Sequence, residues 1–396
     1  SAASDVYKRQ NKYSNELINN FPEYLFNEIN HKKIAARHSG KDIIDLGYGN
    51  PDLPTHDKVV EKLIETAKLK KNHKYSVSKG IFGLREAIAS KYEKNYQVNL
   101  DANSNVVNTI GSKEGLTHLL MSVLNPGDKV VVQDPSYPIH HFAPLIARAE
   151  TIKVNCLEKS AFLTELNDIL KKTKIKLLLI SFPHNPTTLT VDQIFYDSLV
   201  ELAEKYNFLI VNDFAYSDIY FEGNKPPSLL SSDKNLQHSV ELYSLTKGYS
   251  MAGWRVGFAV GNADAVAAVT KLKSYIDYGT FQPIQIASTV ALNELDEYPF
   301  ELSTVYKERR ELVVEHLKDL DFIVQESDAT MFVWAKLPEK FHKDSLKFSL
   351  DILEKSNVAL SPGVGFGKFG EGYIRIALVE NKQRIRQAMK NIKAAL

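Results

Sequence analysis

Between residues 50 and 290 of this 396-residue chain, short runs of aliphatic and β-branched residues alternate with longer stretches of helical periodicity. Few folds accept such a pattern, because consecutive parallel strands need a crossover that a helix usually supplies. Strand candidates fall at 106–110, 129–133, 177–182, 208–212, 240–245 and 256–260, and helix-like stretches at 113–124, 192–206 and 263–276 separate most of them. The expectation is an α/β fold: a mostly parallel sheet covered by helices over residues 51–290. Beyond that point the pattern changes. A long charged helix over 294–320, strands at 322–325 and 331–336, a helix at 345–355 and strands near 358 and 373–378 predict a second, smaller α+β domain over 291–396. Residues 11–50 read as a polar, helix-forming arm that packs with the small domain and ends in a Gly/Pro turn at 47–51. Residues 1–10, SAASDVYKRQ, lack the apolar core of a signal peptide and read as a non-native leader.

Composition narrows the function. With 49 basic against 48 acidic side chains there is no excess positive charge for a nucleic-acid partner. One cysteine, Cys156, rules out an internal disulfide framework and a cysteine-built metal site, and no metal is expected. A reducing, cytoplasmic setting fits. No apolar run approaches the roughly 18 residues of a membrane span.

Open α/β sheets bind ligands at the carboxyl ends of their strands, and five of those ends carry residues that pack poorly and react well. Gly111-Ser112-Lys113 follows the first strand, at a helix start where free N–H groups suit a phosphate, although Ser112 would also serve as an ordinary N-cap. Asp134-Pro-Ser-Tyr137 follows the second, His184-Asn185-Pro-Thr187 the third, Asp213-Phe-Ala-Tyr216 the fourth and Thr246-Lys247-Gly248 the fifth. Arg255, one of only ten arginines, would pair bidentately with an anion; Ser244 lies three residues before Lys247. The Lys247 amine is placed to form an imine with a cofactor aldehyde. Asp213 would face a pyridinium nitrogen, as pyridoxal 5′-phosphate requires, with Asn185 and Tyr216 at the ring oxygen and Tyr137 against the ring face. Each has an ordinary alternative: a solvated lysine, a helix cap for Asp213, a core aromatic for Tyr137.

The run Ser244-Leu-Thr-Lys247-Gly-Tyr-Ser-Met-Ala-Gly-Trp-Arg255-Val-Gly257 resembles the lysine motif of the fold-type I, class I/II aminotransferases. His184-Asn-Pro-Thr187, Asp213-Phe-Ala-Tyr216 and Tyr373-Ile-Arg375-Ile-Ala match other motifs of that family in order and spacing, from about residue 21 to the C-terminus. A narrower likeness, to the bacterial glutamate–pyruvate (alanine) aminotransferases and the neighbouring LL-diaminopimelate aminotransferases, rests on Gly49-Asn-Pro-Asp52, Ile110-Gly-Ser-Lys-Glu-Gly115, Pro135-Ser-Tyr-Pro-Ile-His140, Lys273-Ser-Tyr-Ile-Asp-Tyr-Gly-Thr-Phe281 and Met331-Phe-Val-Trp-Ala-Lys336. One departure stands out: the family's Asn-Pro-Thr-Gly reads Asn185-Pro-Thr-Thr188, which questions the turn geometry more than the activity.

The resemblance implies pyridoxal phosphate held by Lys247, which then acts as base, with Asp213 at the ring nitrogen and Asn185 and Tyr216 at the ring oxygen. Ser112, Lys113 (through its backbone), Ser244 and Arg255 would hold the phosphate, joined by Tyr75 of a neighbouring subunit, so a homodimer is implied. Arg375 would clamp the substrate α-carboxylate with Gly49 and Asn185. The implied reaction is ping-pong amino-group exchange between an amino acid, alanine first, and a 2-oxo acid, 2-oxoglutarate first. An LL-diaminopimelate or broad methionine/aromatic aminotransferase is the alternative, then a carbon–sulfur lyase or a non-catalytic cofactor-sensing module. The residue reading the substrate side chain is open, with 278–280 and Tyr24 as candidates. Gly365-Phe-Gly-Lys-Phe-Gly370 matches a dinucleotide fingerprint in letters only, because a strand rather than a helix follows, and reads as a mobile loop delivering Arg375. His140 and His141 are expected at the surface or site rim, and Trp254 and Trp334 in the core.

Overall fold

The computed structural model describes residues 13–19, 21, 26–223, 225–341 and 344–396, so the leader expected at 1–10 and Tyr24 lie outside the described residues. Strand β1 (Ile44–Asp45) closes the arm, and seven strands then build the main sheet: β2 (Val106–Thr109), β3 (Lys129–Asp134), β4 (Glu150–Asn155), β5 (Leu177–Ile180), β6 (Leu209–Asp213), β7 (Ser239–Ser244) and β8 (Gly257–Gly261). Their spatial order is β2-β8-β7-β6-β5-β3-β4, parallel except that β8 runs against both its neighbours. Strands buried on both faces read as continuous apolar runs, which is why Leu177–Ile180 and Val130–Val132 are legible from sequence. Alternate residues serve opposite faces: Val130 and Val132 pack with Leu116 and Leu119, Val131 with Phe162 and Phe195. The sequence reading missed β4. It is an edge strand whose only fully buried residue is Val154, and Glu150-Thr-Ile-Lys carries no apolar run.

The C-terminal part forms a four-stranded sheet from β9 (Ile323–Val324), β10 (Phe332–Lys336), β12 (Ser361–Pro362) and β13 (Tyr373–Ala377), in the order β12-β13-β10-β9, while β11 (Val358–Ala359) pairs in parallel with β1. The helix Phe26–His38 sets Ile29 against Ile43, Leu353 and Ala359. The long charged helix expected over 294–320 forms as Tyr298–Lys318, starting four residues later because a preceding helix, Gln282–Glu294, ends where it was expected to begin. Pro299 lacks an N–H and suits a first turn, so the chain turns at 295–297 and restarts there.

The glycine-rich segment expected to be a mobile loop forms two short 3₁₀ turns, Gly363–Phe366 and Lys368–Gly370, tied to the end of β3: Ser136 N donates to Phe366 O (2.7 Å) and Phe369 N to Asp134 Oδ1 (3.1 Å). Gly367 makes this closure possible, with φ of 134° and no room for a side chain beside Asp134. Trp334 is buried and stacked on Tyr373; Trp254, expected in the core, is only half-buried, on the turn beside Arg255. No described helix is long and apolar enough to cross a membrane.

Candidate active site

The carboxyl ends of β2, β5, β6 and β7 open into one cavity of about 390 Å³, walled on its other side by the arm, the 47–50 turn and β13. Lys247 stands on a single helical turn, Leu245–Gly248, directly after β7. Its Nζ donates to Gly49 O (2.7 Å) and lies 5.8 Å from the Tyr216 ring. Burial, then the nearby Arg375 and Arg255 guanidiniums, pull its pKa down to about 7 against the opposing pull of Asp213. Asp213 closes β6, with Oδ2 accepting from His140 Nε2 (2.9 Å) and Oδ1 from Ala215 N (3.3 Å). Tyr216 is buried, and burial pushes its hydroxyl pKa far up, so it stays a neutral donor. Tyr137 is half-buried on the cavity wall.

At the start of the helix Ser112–Val123, Gly111 has φ of 79°, and a side chain there would collide with the Arg255 guanidinium. The arginine therefore lies against a helix N-terminus that exposes the N–H groups at Ser112 and Lys113. Behind this cup, Lys273 Nζ sits between Glu114 Oε1 (2.9 Å) and Asp277 Oδ2 (3.0 Å), and Glu114 Oε2 accepts from Ile110 N (3.0 Å). Glu114, His118 and Asp277 lie close enough for a metal, but the lysine ammonium already bridges the two carboxylates. At the opposite wall Arg375 donates through Nη1 to Asn185 Oδ1 (2.8 Å) and through Nη2 to Gly47 O (2.9 Å), with its guanidinium 4.1 Å from the Phe332 ring centroid and 4.6 Å from that of Phe366.

This arrangement coincides with a family-wide match. The profile for aminotransferase class I and II covers residues 41–392. The chain belongs to the class I and II aminotransferases. Glutamate–pyruvate aminotransferase AlaC of Escherichia coli is 43% identical over 95% of this chain and 92% of that protein; an LL-diaminopimelate aminotransferase of Halothermothrix orenii is 39% identical over 96% and 97%. Substrate-bound BacF of Bacillus subtilis superposes with a TM-score of 0.91 at 31% identity, covering 97% of this chain and 98% of that one.

Aminotransferases of this family use pyridoxal phosphate, and the cavity of this one fits it. Three anchors of different chemistry face one space: the Gly111–Arg255 cup for an anion, the Asp213 carboxylate for a protonated ring nitrogen, and a buried amine whose pKa near 7 leaves it largely nucleophilic above neutrality.

Of the residues singled out from sequence, Gly49, Ser112, Lys113, Tyr137, Asn185, Asp213, Tyr216, Lys247, Arg255 and Arg375 all line the cavity. Ser244 does not. Its hydroxyl caps the lysine turn, accepting from Thr246 N (3.1 Å) and donating to Thr246 Oγ1 (2.7 Å), and Thr246 is the residue on the cavity wall. Tyr75 is also outside: it is 83% exposed and lies against Tyr278, with ring centroids 4.4 Å apart. The histidines are not at the surface. His140 and His141 are both buried; His140 lines the cavity and links Asp213 to Ser136 Oγ (2.6 Å to Nδ1), and His141 bonds Phe366 O (3.0 Å). The available signal was the four-residue spacing of Ser136 and His140, which lets a residue just before a helix meet one in its first turn. Sequence reasoning also missed Lys33, Asp45, Phe332 and Phe366 as cavity walls, because nothing local ties them to the strand ends.

Proposed function

We propose that this aminotransferase exchanges amino groups between L-alanine and 2-oxoglutarate in a ping-pong cycle. The observation that carries the reading is the Lys247 amine, its pKa drawn down to about 7 so that a large share is unprotonated near neutrality, sharing one small cavity with the Arg375 guanidinium. Bound pyridoxal phosphate supplies an electron-accepting ring that stabilises the charge left when a Cα proton departs. The chain supplies the rest. Arg375, backed by two aromatic faces, grips the α-carboxylate through its planar fork. The Asn185 oxygen is taken by Arg375, so its Nδ2 is the group left to orient the ring oxygen alongside the Tyr216 hydroxyl. Lys247 Nζ takes the Cα proton and, in the return half-reaction, delivers one. Asp213, aligned by His140, keeps a facing ring nitrogen protonated. Phe332 and Phe366 lie against Arg375, and Phe26, Ile29 and Leu360 add apolar surface to a wall that also carries Asn30, Lys33 and Asp45; the apolar faces suit the methyl of alanine.

The LL-diaminopimelate reading remains the second one, supported by a relative of that name at 39% identity. A panel of amino donors against pyruvate and 2-oxoglutarate tests the choice: alanine with 2-oxoglutarate should give the highest kcat/KM, and faster turnover of LL-diaminopimelate would overturn it.

A homodimer belongs to this proposal. Tyr75, Val77, Tyr275, Ile276 and Tyr278 are exposed on two adjoining segments, joined where Ser78 Oγ donates to Asp277 O (2.7 Å). Apolar surface of this kind suits a second copy, whose phosphate Tyr75 would reach.

A further inference from the structure

Lys33 lies in the arm helix, only 8% exposed and on the cavity wall, although no reading of the reaction assigns it a part. Its Nζ is 2.6 Å from Asp45 Oδ2. The other Asp45 oxygen accepts from Gly47 N (3.1 Å) and Tyr48 N (3.3 Å), so one carboxylate shapes the turn that follows β1. That turn serves both reacting ends. Gly47 O receives Arg375 Nη2 (2.9 Å) and Ser361 Oγ (2.8 Å), and Gly49 O receives Lys247 Nζ (2.7 Å). The turn has little slack, since a side chain at Gly49 would strike the Phe332 ring that stacks on Arg375.

We propose that Lys33 is a positioning residue: by neutralising and steering Asp45 it sets the 47–49 turn, and through that turn the placing of the Arg375 guanidinium for the substrate carboxylate. The inference rests on Arg375 being the carboxylate clamp. A half-buried carboxylate that loses its cation turns toward other donors or takes up water, and the two amides it held are released with it. Lys33 is thereby part of the carboxylate site without touching the substrate.

The test uses pyridoxal-phosphate-loaded enzyme and propionate, an unreactive analogue of alanine without its amino group, followed by the absorbance of the bound cofactor. Lys33→Met should weaken propionate binding and raise KM for alanine and 2-oxoglutarate together by about tenfold, as small misplacements at a clamp do, with cofactor affinity unchanged. Asp45→Asn keeps an oxygen for the two amides, so the Lys33→Met/Asp45→Asn double variant should recover most of the propionate affinity. Wild-type propionate binding in Lys33→Met, or a loss confined to cofactor affinity and melting temperature, would overturn the proposal, as would a double variant no better than the single one. Arg375→Leu is the separate control: if it binds propionate normally, the clamp reading itself fails.

Discussion

At the end of the cavity that faces Asp213, Lys247 and Arg255, the walls come from the rim of one seven-stranded sheet. At the end that faces Arg375, they come from the arm, the 47–50 turn, the Asn185 loop and a strand of another sheet. The first end is held by backbone ladders: β6 and β7 pair in parallel, so Asp213 and the residues leading to Lys247 have their spacing set by the sheet itself. The second is held by single side-chain contacts, Arg375 on the Gly47 carbonyl and Lys33 on the Asp45 carboxylate. A ladder tolerates loss of a side chain, whereas an assembly of single contacts does not. The sheet end should therefore fail in chemistry, and the assembled end in affinity.

Asp213→Asn, at the sheet end, offers the largest effect. It keeps the shape but not the charge, so turnover should fall on the order of a hundred- to a thousandfold while the cofactor stays bound. Full activity in that variant would remove the argument that the carboxylate holds the ring nitrogen protonated, and a main effect on KM would blur the contrast between the ends.

A pH experiment asks how far the two ends are independent. The amine must be neutral to attack an aldehyde, and the folded pKa of Lys247 is depressed from 10.5 to about 7. The rate at which cofactor-free enzyme takes up pyridoxal phosphate should thus climb as pH rises through about 7 and level off above it. Arg375 is one cause of the depression, so in Arg375→Leu the midpoint should move upward; an unmoved midpoint would show the ends to be electrically separate. The same depression has a stability consequence. Between about 7 and 10.5 the unfolded chain binds the proton that the folded chain has released, so this group's contribution to stability improves as pH rises across that window.

The smallest effect lies on the loop between the ends. Thr188, where the family carries glycine, is buried with φ of 64°, and its hydroxyl has no hydrogen-bond partner among the described residues. A left-handed β-branched residue costs roughly 1–2 kcal/mol and an unpaired buried hydroxyl about as much; the lost methyl and the freer unfolded glycine return part of that. Thr188→Gly should accordingly raise stability by about 1 kcal/mol, read as a higher melting temperature with KM unchanged. The departure in the motif left the turn standing, since Thr188 N still donates to His184 O (2.8 Å), at the expense of strain.

Alternating apolar runs and helical stretches were enough to announce a helix-covered sheet. The residues after the strand ends were enough to put Lys247 and Asp213 at the rim of the sheet, because consecutive residues at a strand terminus have nowhere to go but its rim. The edge strand Glu150–Asn155 stayed invisible, since a strand with one neighbour need not be apolar. Ser244, which the motif implies at the cofactor phosphate, lies off the cavity wall with its hydroxyl engaged in the local cap; position in a motif does not say which way a side chain turns. His140 behind Asp213, and Lys33 with Asp45 behind Arg375, were decided only when elements 73 and 12 residues apart in the chain closed on each other. Local pattern determines which elements form, because it acts through neighbours along the chain. Which charge meets which across a cavity depends on burial and distance, and these exist only once the elements have packed.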